Sequence, residues 1–130
     1  MKLFLTIATI LMLTVNAHAE DKLLGQWQDK SNPSAQKYTF KENQDFIHIH
    51  NWEENGKGKS KKSVGVWEVG AWTVTSPNGN ESSCNLKTYA DTIECCFNYK
   101  FIAKNLILTK QYPIGYSGRM CENKVLVKEE

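Results

Sequence analysis

The chain has 130 residues, 41 % hydrophobic and 23 % charged, with a formal net charge of +2 at pH 7. That length suits one domain, and a balance this close to neutral predicts no partner drawn by the net charge of the whole chain. Phosphate loops, nucleophile elbows and H-E-x-x-H helices are also missing from the sequence, so no common catalytic motif is available.

In chain order, the first stretch is "MKLFLTIATILMLTVNAHA". Lys2 gives a short positive start, Leu3 to Val15 an apolar run, and Ala17-His18-Ala19 a small-x-small site. This predicts a cleaved secretory signal over residues 1–19 and a mature domain over 20–130, periplasmic or secreted. The apolar run is shorter than the roughly 18 residues of a membrane span, and no second such run follows, so no membrane span is expected after cleavage.

Short alternating runs follow. "LLGQWQ" sets Leu23, Gly25 and Trp27 on one face, and "QKYTFK" sets Tyr38 and Phe40 against Lys37, Thr39 and Lys41. In "DFIHIHNW", Phe46, His48, His50 and Trp52 share one face and Ile47 and Ile49 the other. The turn before it decides which face is buried. A two-residue turn at Asn43-Gln44 pairs Phe40 with Ile47 and leaves the histidines outside. A three-residue loop, Glu42 to Gln44, pairs Phe40 with Phe46 and Tyr38 with His48, and turns the histidines in. The second needs φ > 0 at Gln44, unfavourable without glycine, so the first is preferred.

"NGKGKSKK", with Lys57, Lys59, Lys61 and Lys62, reads as a solvated loop tip. It has no interleaved aromatic, so nucleic acid is not an expected partner. "SVGVWEV" and "WTVT" flank Gly70-Ala71, which suits a type II′ hairpin turn pairing Val69 with Trp72 and Trp67 with Val74. "PNGN", Pro77 to Asn80, is the next turn, and Asn80-Glu81-Ser82 fits a glycosylation sequon. A turn at Ala90-Asp91 joins "SCNLKTY" to "TIECCFNYKFIA", and one at Lys104-Asn105 leads to "NLILTK". After "YPIGYSG" comes a last strand in "MCENKVLVK". About nine short strands in hairpin order predict an all-β antiparallel up-and-down meander, closed into a small barrel because closure removes exposed edges.

Four cysteines, Cys84, Cys95, Cys96 and Cys121, predict two disulfides in an exported domain. Adjacent strand residues point to opposite faces, so Cys95 and Cys96 must seek different partners. The Ala90-Asp91 turn favours Cys84–Cys95 with Cys96–Cys121. A one-residue slip gives Cys84–Cys96 with Cys95–Cys121.

"LLGQW" (Leu23 to Trp27), "YTFKENQDF" (Tyr38 to Phe46) and "GVWEV" (Gly65 to Val69) together resemble the small lipocalin-like proteins that bacteria secrete, with "NLILTK" and "NKVLVK" as later strands. The chain departs from that pattern at Asn43-Gln44, where such proteins carry Asp-Gly, and in its cysteines. The resemblance implies a lipocalin-like (calycin-type) barrel of eight to ten strands, with Trp27 closing one end and no catalytic residues.

The function expected is non-enzymatic binding of a small apolar ligand, with Tyr38, Trp67, Trp72, Phe97 and Tyr99 as candidate lining residues. In a barrel this small, tryptophans more often fill the core. The alternative is a protein-binding inhibitor or immunity-type protein of the cell envelope. His48 and His50 could give two ligands to a metal, but a structural site needs four and a catalytic one about three. Glu53 and Glu54 point to opposite faces and do not form a catalytic pair. No cofactor is expected.

Overall fold

A computed structural model describes residues 21–111 and 119–129. The expected signal segment and "YPIGYSG" therefore lie outside the described residues. Eight antiparallel strands form a closed barrel in simple sequence order. They are β1 (Gly25–Asp29), β2 (Gln36–Phe40), β3 (Asp45–Glu54), β4 (Lys57–Thr75), β5 (Glu81–Ala90), β6 (Ile93–Ile102), β7 (Asn105–Lys110) and β8 (Lys124–Lys128). The ring closes where β1 pairs with β8, Trp27 opposite Lys128 and Asp29 opposite Leu126. The all-β meander barrel expected from the alternation is therefore the observed fold.

The inward face of each strand supplies one apolar cluster that includes Trp27, Tyr38, Phe40, Phe46, Trp67, Leu86, Phe97, Leu106, Leu108 and Leu126. Trp27 closes one end, its indole N–H donating to the Leu23 carbonyl at 2.9 Å. Trp67 packs edge-on to Phe40, with centroids 5.5 Å apart, and donates to the Lys41 carbonyl at 3.0 Å. Gly65 lies between Phe46 and Ala90 across the two ladders. A side chain there would fall on the Tyr89 carbonyl oxygen, so the G-x-W spacing of β4 reflects close strand contact.

Five local expectations are corrected. The loop between β2 and β3 is the longer one: Phe40 pairs with Phe46 and Tyr38 with His48. Asn43 and Gln44 both take positive φ, 62° and 65°. The core contact of Phe40 on Phe46, 5.4 Å between centroids, outweighs the backbone cost, and the histidine face turns in.

There is no hairpin at Gly70-Ala71. Strand β4 runs on for 19 residues with a register shift between Val69 and Trp72, and Gly70 is not among the positive-φ glycines. The turn falls later, in the predicted "PNGN", where Gly79 has φ 82° and Ser76 N–H meets the Asn80 carbonyl at 2.8 Å. Trp67 and Trp72 therefore do not share a face. Trp72 and Val74 pack with Cys84 and Cys96 in a separate cluster on the outside of the sheet.

Two turns sit one residue away from their expected places. Ala90 pairs with Ile93 around Asp91-Thr92, and Ile102 pairs with Asn105 around Ala103-Lys104. The disulfides are Cys84–Cys96 and Cys95–Cys121, not the favoured pairing. In the observed register Cys95 faces Thr88, four residues from Cys84. The β5–β6 ladder ends at Leu86 and Phe97, where the Asn85 amide bonds the Tyr99 backbone in place of a strand partner. Beyond that break Cys84 joins Cys96 on the outer face, with Cα atoms 5.7 Å apart. Cys95 points inward and ties β6 to the turn before β8.

Candidate functional site

The predicted lining residues do not come together around a cavity. Tyr38 and Phe97 are fully buried and Trp67 nearly so, all within the central cluster. Tyr38, Phe46, Leu86, Phe97, Leu106 and Leu126 have 0 % accessibility, so none of them borders a space that would admit a water. Trp72 lies outside, under the Lys87 ammonium at 4.6 Å. Tyr99 is half-buried and meets Phe101 edge-on at 6.0 Å.

The histidines are divided. His48 is buried, its Nε2 2.9 Å from Gln36 Oε1, and its ring lies 4.8 Å from that of Tyr38. The Tyr38 hydroxyl donates to the same Gln36 oxygen at 3.2 Å. Burial, with His50 and Lys124 nearby, pushes the His48 pKa down to about 4 despite Asp91. His48 is therefore a neutral imidazole at ordinary pH. Burial pushes the Tyr38 phenol up, helped by Glu122 and Asp29, so it stays a neutral donor. His50 is half-buried at the rim and stacks on Trp52, centroids 4.9 Å apart and planes 15° off parallel. Among the described residues no group of three His, Cys, Asp or Glu side chains is placed to hold a metal ion.

Two open grooves flank the filled interior. One, of about 680 Å³, is lined by Trp27, Phe101, Ala103, Val127 and the Lys22 and Lys128 side chains at the closed end. The other, of about 610 Å³, lies between the β1–β2 connection (Asn32, Ser34, Ala35) and the outer parts of β3 and β4 around Trp52, Glu53 and Lys59.

Those outer parts form the most unusual element of the molecule. The β2–β3 ladder ends at Gln36 and His50, and the β4–β5 ladder reaches only to Gly65 and Ala90. Beyond both, Asn51–Glu54 pair with Lys57–Ser60 alone, and Lys61–Val64 keep only the inner part of β3 as a neighbour, making a two-stranded ribbon that leaves the barrel wall. Its turn is Asn55-Gly56, with φ 54° and 76°, the geometry that Asn-Gly favours. The base is fixed by Asn51, whose N–H meets the Ala35 carbonyl and whose amide donates to the Ser34 carbonyl, both at 2.8 Å. The lysines read as a loop tip lie on this strand instead. Grouping them as one basic loop hides the Asn55-Gly56 signal.

On the barrel wall, Val64, Val66 and Tyr89 are more than half exposed, Val66 paired with Tyr89 and Val64 with Ile47. Together they make an apolar strip at the foot of the ribbon. No protein-family model matches the chain, and no curated protein or solved structure shows significant similarity to it.

Proposed function

We propose that this is a non-enzymatic, exported binding protein that acts on a protein partner through its outer surface. The observation that supports this most is the filled interior. A barrel whose inward aromatic and leucine side chains are at most 3 % accessible gives a small apolar ligand no room along its axis. The ribbon and the exposed strip of Val64, Val66 and Tyr89 offer projecting and apolar surface of the kind protein contacts use. Two disulfides fit an oxidising compartment, and the signal-like segment fits the periplasm or secretion. The small lipocalin-like proteins of bacteria remain the family that the sequence resembles.

Cross-linking in the producing cell, followed by reconstitution from purified components, tests this reading. The expected result is a stoichiometric complex with one envelope or extracellular protein. Native mass spectrometry showing a retained small apolar molecule, with no protein partner, overturns it. One observation favours that second reading: the groove beside Trp27 and Phe101 is apolar-floored and large enough for a small ligand.

A further inference from the structure

We infer that the open edge of β4, Lys57–Lys62, is a docking strand for an extended acidic segment of the partner protein, which adds a third strand to the ribbon. The inference rests on the protein-partner reading above.

The argument begins with hydrogen bonds. Each strand residue carries a backbone donor and acceptor, and alternate pairs point to each side. On one side, Lys57–Ser63 are satisfied by β3. On the other, β5 stops at Ala90, opposite Gly65, and among the described residues no strand continues the ladder. Residues 57–62 are all exposed. The result is a strand edge about six residues long, held straight by its partner and open to water. Such an edge is a template for any chain that can extend beside it.

Charge then selects the occupant. Lys57, Lys59 and Lys61 alternate onto one face and Lys62 lies on the other, and no acidic residue occurs between Lys57 and Trp67. Lys61 reaches Asp91 at 3.5 Å, but its side chain is 63 % exposed, so that pair screens little. A second copy is disfavoured as occupant. Antiparallel self-pairing centred on Lys59 sets Lys59 against itself and Lys57 against Lys61, all on one face, and like charges opposite each other destabilise. The same row favours a strand with Glu or Asp at alternate positions. Trp52 lies directly across from Lys59 and His50 from Lys61, so the lysine face also carries a stacked aromatic pair against which the arriving strand can pack.

The test uses a capped octapeptide of alternating glutamate and threonine, its lysine–threonine counterpart, and the glutamate peptide N-methylated at every residue. Binding to the oxidised full-length mature protein is followed by backbone amide shifts and hydrogen exchange. The expected result is protection confined to residues 57–62 with the glutamate peptide alone. The affinity should fall about tenfold or more from low to high salt, and by a similar factor in the K57E/K59E/K61E variant at unchanged melting temperature. Equal binding of the N-methylated peptide means charge without strand addition and overturns the inference. So do shifts confined to another surface, and so does protection of the same amides by anionic phospholipid vesicles with none by the peptide. A cross-linked protein partner that survives in the triple variant overturns the docking edge while leaving the protein-partner reading intact. The absence of any protein partner, with a retained apolar molecule, overturns that reading itself.

Discussion

His48 shows how one side chain links packing to solution behaviour. Its folded pKa of about 4 lies below the ordinary 6.5 because burial, His50 and Lys124 oppose the charged ring. Between those values the unfolded chain takes up a proton that the folded chain refuses. Stability is therefore full above pH 6.5, falls as the pH drops toward 4, and levels off below, a loss of about 3 kcal/mol. Asp29 behaves oppositely. Burial pushes its carboxyl up, but hydrogen bonds from Ser31 and the charge of Lys124 outweigh that and leave it below its usual 3.8. Its contribution is present above that value and is lost only at lower pH, so the two windows are separate. Denaturant melts at several pH values should show the His48 window in the native protein and a flat profile from 6.5 to 4 in H48Q. A persisting slope would place the titrating group elsewhere. Trp27→Ala should cost about 3–5 kcal/mol, since it empties the closed end of the core. His50→Ala, at the half-buried rim, should cost under about 1 kcal/mol. Melts of both variants at neutral pH check the difference.

At the scale of strands, close approach and turn chemistry decide the outcome. Gly65→Ala puts a methyl on the Tyr89 carbonyl oxygen, and separating β4 from β5 to admit it should cost about 3 kcal/mol, measurable as a lowered midpoint in urea. The ribbon should exchange its amides far faster than the barrel wall, because residues 51–64 lack a second flanking strand and a core. The barrel and most of its strands were legible from alternation alone, since Tyr38 and Phe40 or Leu106 and Leu108 could face only inward. The face of β3 was not. It turned on one residue of loop length, and the tertiary contact of Phe40 with Phe46 overrode the local reluctance of Gln44 to adopt positive φ. Gly70-Ala71 misled in the opposite way: the dipeptide suits a turn, but here it is a register shift in a strand that runs on to Thr75. That error also carried Trp72 to the wrong face. The docking edge was hidden for a simpler reason. Whether a strand edge is open depends on where the neighbouring strand stops, which no local pattern records.

At the scale of the whole molecule, the expected export and the covalent closure belong together. Cleavage after Ala19 is expected, and N-terminal sequencing of the exported protein should begin at Glu20; a Met1 start would end that expectation. The domain that then folds has its ring completed by a last strand of only five residues, paired with β1 on one side and β7 on the other. Short terminal strands of this kind are the ones that molecules most easily trade with one another. Here Cys121, three residues before that strand, is fastened to Cys95 near the start of β6. While the bridge is intact, the closing strand cannot travel far enough to complete a neighbour's ring, and the barrel is obliged to finish itself. Reduction releases the tether. At high concentration the reduced protein should accumulate interlocked dimers on size-exclusion chromatography, while the oxidised protein elutes without them.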